Sequence, residues 1–308
     1  SGEQTGEWNV PNETIEVRVL DPSGKALDTT EIIIEKLDNG EFILELPSER
    51  NLKAGVYTVE TKLTKDDETF VAEAKFGWGL VSMNTKKSIY RPGENAEMIF
   101  VVLDRQGRSV CNANVDALIT NPLNQTIFLS TNDGSIMPSN ECGIYNANYA
   151  TSSEGNHTIK IHAMTLGIDA TFSTYFLVQQ NFDYDIVRTA QSKIDPTKSN
   201  NFDVKINIES FAGNNPITIK EYVPRVFELS TDGTVEEIND TKIITWQRNF
   251  DSNMKTDVEY TYSVPREFPQ LYALVKVKIN QPDNPEFEEA RNWFVAVDPA
   301  PSRVALKT

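Results

Sequence analysis

The sequence predicts an all-β protein built from tandem immunoglobulin-like β-sandwich domains. Three observations predict it. Apolar and polar side chains alternate in short runs, the period of a strand with one buried face. Clusters of Gly, Pro, Asn and Asp punctuate those runs at short intervals. No segment sustains a 3.6-residue apolar period over four turns, so helix is expected only as single turns near 47–52 and 266–270.

The elements follow in chain order. Residues 1–12 are polar around Trp8 and read as a loose N-terminal arm. A first sandwich is expected over 13–79. In its opening strand, Ile15, Val17 and Val19 alternate with Glu16 and Arg18. Strands are expected at Ile32–Ile34, Phe42–Leu46, Val56–Leu63 and Thr69–Phe76, with Asp38-Asn39-Gly40 as a hairpin turn. A second sandwich is expected over 80–180, with strands at 96–103, 113–120, 125–130, 143–150, 156–164 and 168–178. Turns stand between them at Asp104–Gly107, Asn121-Pro122, Asn132-Asp133-Gly134 and Ser153-Glu154-Gly155.

Phe182–Arg188 reads as a connector. A third sandwich is expected over 184–298, with strands at Asn201–Ser210, Ile217–Val223, Ile243–Arg248, Val258–Val264, Leu271–Ile279 and Ala290–Val297. Trp246 and Trp293 are expected in its core. Residues 299–308 read as a proline-stiffened linker and a tail. The alternating Arg303–Thr308 is a candidate donated strand for a neighbouring copy.

The turn Ile89-Tyr90-Arg91-Pro92-Gly93-Glu94 organises the middle of the chain. Pro92 presets φ near −65°, and Gly93 supplies the positive φ of a type II turn. Tyr90 is expected to bury its ring and keep its hydroxyl wet. Lys87–Glu94, with Asp104-Arg105-Gln106-Gly107 and Gly143-Ile144-Tyr145, resembles a macroglobulin-like domain of the α2-macroglobulin/complement superfamily over about residues 83–178. The resemblance implies that the middle sandwich is macroglobulin-like, of the MG2 type. Phe76-Gly77-Trp78-Gly79, that turn and Glu289-Ala290-Arg291-Asn292-Trp293 together resemble multi-module β-sandwich surface proteins predicted in uncultured archaea and bacteria. Cys142-Gly143-Ile144-Tyr145 departs from the Cys-Gly-Glu-Gln thioester segment of macroglobulins, so thioester chemistry does not carry over.

The 308 residues suit two or three domains, and 39% hydrophobic with 24% charged side chains is ordinary for a globular chain. A net charge of −16 argues against nucleic acid as a partner. No run of 18 apolar residues offers a membrane-spanning helix, and no signal peptide is visible. Cys111 and Cys142, within one expected sandwich, are expected to form a disulfide in an exported chain. Four Asn-x-Thr sequons, at Asn12, Asn124, Asn156 and Asn239, are candidate glycosylation sites.

Candidate chemistry is sparse. His157 and His162 are five apart on an expected strand, so they point to opposite faces and cannot share a metal. Each is expected at the surface or half-buried. There is no His-Glu-x-x-His, Gly-x-Ser-x-Gly, P-loop or dinucleotide fingerprint. The acid pairs Asp66-Asp67, Glu236-Glu237 and Glu288-Glu289 are neighbours, not carboxylates facing each other across a cleft. No cofactor is expected. Ca2+ is the one candidate ion, held by acidic loops.

The expected function is therefore that of a noncatalytic extracellular structural protein. It is a cell-surface module array serving as an envelope layer (S-layer), stalk or filament subunit, whose partners are other surface proteins or copies of itself. The alternative is an adhesin, recognising protein or carbohydrate through loops at a sandwich end. Exposed aromatics near Tyr145, Tyr149 and Tyr175 would favour it. A protease-trapping macroglobulin fragment would need a bait segment and a thioester domain, and neither lies in these residues.

Overall fold

The computed structural model describes residues 6–10, 13–21, 24–27, 33–36, 42–45, 55–65, 68–104, 107–165, 168–213, 215–266, 269–282 and 284–298. Its regular structure among those residues is entirely strand. The expected turn at 47–52, the Asp38–Gly40 turn, Asp66-Asp67 and the 303–308 tail lie outside them.

Six strands come first. They are β1 (Gly6–Val10), β2 (Glu13–Leu20), β3 (Ile33–Lys36), β4 (Phe42–Glu45), β5 (Gly55–Lys65) and β6 (Glu68–Trp78). One sheet runs β1-β2-β5-β6, and β3 pairs with β4. The alternation read in the sequence buries Ile15, Val17 and Val19 of β2 against Tyr57 and Val59 of β5. The N-terminal arm is not wholly loose, because Gly6–Val10 is a strand paired antiparallel with β2. Backbone pairing decides this, and a polar edge strand gives little apolar periodicity to read.

Nine strands follow: β7 (Val81–Thr85), β8 (Ile89–Tyr90), β9 (Asn95–Val102), β10 (Asn114–Thr120), β11 (Thr126–Ser130), β12 (Ile136–Pro138), β13 (Ile144–Ala150), β14 (Gly155–Thr165) and β15 (Ile168–Val178). They form sheets in the orders β11-β10-β14-β15-β8 and β12-β13-β9-β7. Met98, Phe100 and Val102 from one sheet face Val115, Ala117, Ile159 and Ile161 from the other. The Arg91–Glu94 turn closes with Glu94 N–H on Arg91 C=O at 3.1 Å. Gly93 has φ +87, the conformation a type II turn requires at its third position. Tyr90 departs from expectation. It is buried, and its hydroxyl accepts from Lys87 N–H at 3.3 Å rather than facing water.

The last twelve are β16 (Tyr184–Ala190), β17 (Lys193–Ile194), β18 (Phe202–Ser210), β19 (Ile217–Pro224), β20 (Glu228–Thr231), β21 (Thr234–Ile238), β22 (Thr241–Arg248), β23 (Lys255–Ser263), β24 (Gln270–Leu274), β25 (Lys278–Asn280), β26 (Phe287–Glu288) and β27 (Trp293–Val297). Their sheets run β16-β18-β23-β20, β17-β27-β24 and β21-β22-β19-β25-β26. The core gathers Ile206, Ile219, Trp246, Tyr260, Tyr262 and Trp293. Full burial of each large apolar side chain is worth about 1.5–3 kcal/mol.

Three expectations are corrected here. Phe182–Arg188 is not a connector, because Tyr184–Ala190 is a strand paired with β18. Leu271–Ile279 is two strands, β24 and β25, which belong to different sheets. No helical turn stands at 266–270 among the described residues, and Gln270 already pairs with Val297.

Candidate functional site: a buried joint between two sandwiches

Many hydrogen bonds and apolar contacts cross the seam between the second and third cores. Its local signature is burial on both faces of a strand. β9 alternates until Phe100 and then buries Val101, Val102 and Leu103 in succession. Val102 faces its own core, whereas Val101 and Leu103 meet Leu271 and Ala296, with Phe294 packed beside them. Phe172 meets Phe294 edge to face at 5.3 Å. β7 is buried throughout, although its sequence is Val-Ser-Met-Asn-Thr.

The polar groups of β7 account for that burial. Asn84 is fully buried and behaves as a spare peptide unit. Its Nδ2 donates to Phe294 O at 2.6 Å and Ser192 Oγ at 2.9 Å, and its Oδ1 accepts from Phe294 N–H at 2.8 Å. β17 pairs with β27 only at Ala296 and Val297, and the Asn84 amide takes the Phe294 N–H and C=O that lie short of that pairing. Next to it, buried Arg291 donates to the Thr85 carbonyl and hydroxyl and to Asn292 O. Burial pulls the Arg291 guanidinium down to about 10, partly offset by Tyr90 and Glu289, so it stays charged at neutral pH. Ala290 is held at both ends, its N–H on Ser88 Oγ at 2.9 Å and its carbonyl under the Tyr175 hydroxyl.

Charged groups extend the seam. Lys87 reaches Asp185 Oδ2 at 2.6 Å and Glu94 Oε1 at 3.2 Å. Burial lowers the Lys87 ammonium, but Asp185 and Glu94 outweigh burial and raise it. The Arg91 guanidinium lies 4.4 Å over the Phe211 ring and 5.3 Å over Phe182. Lys193 donates to Cys142 O at 2.6 Å and Ser109 Oγ at 2.9 Å. Gly107 closes the turn begun at Asp104 with φ +77, and a Cβ there would stand 2.1 Å from Pro269 Cβ.

Behind the seam, inside the third core, sits an ion cluster. Arg188 is 2% exposed, Glu221 0% and Glu289 5%. Arg188 grips Glu221 with two nitrogens and Glu289 Oε2 at 2.9 Å with one of them. Tyr260 donates to Glu221 Oε1 at 3.1 Å, and Val277 N–H donates to Glu289 Oε2 at 2.9 Å. Burial alone lowers the Arg188 guanidinium, yet Glu221 and Glu289 hold it well above its ordinary value. Burial pushes the Glu221 carboxyl up against the pull of Arg188. The Arg188 backbone N–H donates to Lys86 O at 2.9 Å, tying the cluster's strand to the second sandwich.

The residues singled out by sequence fall as follows. Cys111 and Cys142 are disulfide-bonded with Cα atoms 4.5 Å apart, at the loop that receives Lys193. Asn124 and Asn239 are exposed in left-handed turns, and Asn156 is exposed on β14. Asn12 lies outside the described residues. The histidines do point to opposite faces. His162 is half-buried and meets Asp169 Oδ1 at 2.7 Å. His157 is neither at the surface nor half-buried but fully buried, stacked on Phe176 at 5.1 Å. Tyr145 and Tyr149 are core residues, and Tyr175 is bonded across the seam, so no exposed aromatic patch forms there. Glu236 and Glu237 stand exposed on β21, while Glu289 joins the ion cluster. Among the described residues, no three of His, Cys, Asp and Glu gather to hold a metal ion.

Sequence reasoning missed Arg188, Glu221, Asn84 and Arg291. Two of them carried a signal. Glu221 occupies an inward position in the series Ile217, Ile219, Glu221, Val223, and Arg188 does so in Tyr184, Ile186, Arg188. A charge in the inward register of a strand marks a buried ion that needs a partner.

No family model and no curated protein matches the chain. Solved structures do. The chain is similar to Escherichia coli α2-macroglobulin activated by porcine elastase at 10% identity and TM-score 0.28, covering 96% of this chain and 30% of that one. It is similar to Salmonella α2-macroglobulin reacted with methylamine at 13% identity and TM-score 0.29, covering 97% and 28%. A DUF4785 family protein from Legionella pneumophila gives 11% identity and TM-score 0.27 over 90% of this chain and 80% of that one. The chain thus spans less than a third of the macroglobulins it matches. TM-scores this low do not equate the folds.

Proposed function

We propose that the chain is a noncatalytic structural array of β-sandwich modules from a cell surface, acting as an envelope layer, stalk or fibre subunit. The joint carries this reading. The Lys87–Asp185 ion pair, the Asn84 amide and the Arg291 guanidinium lock one sandwich against the next instead of lining a cleft for substrate. An interface with this much buried polar and apolar contact restrains the relative motion expected of linked domains. The domain boundaries near residues 79, 180 and 298 belong to the same reading. The disulfide is of the kind that persists in oxidising compartments. Exposed sequon asparagines at 124, 156 and 239 suit a glycosylated exterior. The adhesin reading loses its aromatic patch, because Tyr145 and Tyr149 are buried.

Immunogold electron microscopy of the native cells tests the proposal. Label on a surface lattice, on filaments or on stalks is expected, and label confined to the cell interior would overturn it. Intact mass of the native protein above that of the bare chain is expected from glycans.

A further inference from the structure

We propose that the free edge of β11 is a self-association surface, pairing with β11 of a second copy about a two-fold axis. Among the described residues, β11 ends its sheet and pairs on one side only, with β10. Residues 117–132 hold no charged side chain in a chain of net charge −16. Among the described strands, the other edges hold a charge or, in β12, a proline, save three. The uncharged edges β7, β8 and β24 are buried. Charges and prolines are what keep edges from pairing, and β11 has neither. Two acidic copies repel each other, and this neutral strip is where they approach at least electrostatic cost.

The backbone is matched to itself. Asn121 N–H bonds Gln125 O and Thr131 N–H bonds Val115 O, so the odd-numbered residues of β11 face β10. Thr126, Phe128 and Ser130 therefore turn their N–H and C=O groups to the open side. Ser130 is already occupied, since its N–H and C=O both bond the Ser135 hydroxyl. That leaves Thr126 and Phe128. A two-fold axis at Ile127 sets Thr126 opposite Phe128 of the second copy and Phe128 opposite its Thr126, which satisfies all four N–H and all four C=O groups in four hydrogen bonds. Phe128 is 57% exposed and Ile127 46% exposed, and the pairing covers both. Leu118, directly beside Phe128 on the outer face, extends the apolar strip.

The inference does not depend on where the protein resides. Its test is sedimentation equilibrium of the full chain, made in a host that forms disulfides and adds no N-glycans, so that Asn124 is bare. A monomer–dimer equilibrium is expected, with the dimer fraction rising between about 0.05 and about 0.5 M salt as like charges are screened. Phe128→Lys places a charge on each side of the axis. Thr126→Pro removes an outward donor and leaves the β10 ladder intact. Both variants are expected to be monomeric with unchanged melting profiles. The control Val235→Lys, on the exposed edge β21, is expected to dimerise like the parent. A parent that stays monomeric at every concentration, a dimer indifferent to both variants, or open-ended aggregation would overturn the proposal. Such a failure leaves the surface reading untouched, and an interior location leaves the dimer untouched.

Discussion

His157 shows how one side chain sets a pH dependence. Its ring is buried between Tyr149 and Phe176, with Nδ1 against Gly155 O at 3.3 Å and Nε2 without a hydrogen-bond partner. Burial lowers its pKa, because protonation would add a donor with nothing to receive it. A histidine depressed in the folded state leaves the unfolded chain to bind the proton as pH falls. Stability is therefore full above the unfolded value near 6.5 and declines below it, by at most about 1.4 kcal/mol per pH unit for one proton. Chemical denaturation at pH 7.5 and pH 5 is expected to show the loss, and His157→Phe is expected to remove most of it. An unchanged pH slope in that variant would assign the loss elsewhere.

Arg188 is the costlier residue. Its removal leaves Glu221 and Glu289 buried without a counter-ion. Arg188→Met is expected to destabilise the third sandwich by about 3–5 kcal/mol, the range for breaking a buried ion pair from one side. A loss below about 1 kcal/mol in denaturant titration, the level of an exposed pair, would show that water reaches the cluster.

At the scale of the element, the joint is made by strands whose second face is covered. β7 and the end of β9 belong to the second core, and β27 belongs to the third, yet Asn84 joins β7 to β27 as an additional backbone partner would. Asn84→Ala strands the Phe294 N–H in a buried setting. The expected cost is about 1–3 kcal/mol. The variant is also expected to raise hydrogen exchange at Phe294 while leaving the β14–β15 ladder protected. Equal protection at Phe294 in parent and variant would mean that the amide is not holding the seam.

At the scale of the whole molecule, shared burial implies shared unfolding. The second and third cores meet through Val101, Leu103, Leu271 and Ala296 as well as the ionic contacts, so calorimetry is expected to show them melting in one transition. Asn84→Ala is expected to split it. The Cys111–Cys142 bond closes a separation of 31 residues, worth about 3–4 kcal/mol in the chain-entropy account. Reduction is therefore expected to lower that transition, and the unreduced, denatured chain is expected to offer no free thiol to alkylation.

Much of the fold was legible in the sequence because the period-two alternation and the turn residues act locally. Ile15, Val17 and Val19, the Pro92-Gly93 turn and the core placement of Trp246 and Trp293 needed no knowledge of distant partners. The odd spacing of His157 and His162 on one strand also set them on opposite faces. Tertiary structure alone decided the rest, and each case has the same cause. β1 and β16 are strands because β2 and β18 lie beside them, a fact of backbone pairing that composition does not carry. Val-Ser-Met-Asn-Thr reads as a half-polar strand, and it is buried because a second sandwich covers the face that alternation assigns to water. Asn84 and Arg291 look like ordinary surface residues, and the inward register of Arg188 and Glu221 does not say what they meet, until Phe294, Thr85 and each other, from 33 to 210 positions away in sequence, are brought within hydrogen-bonding distance.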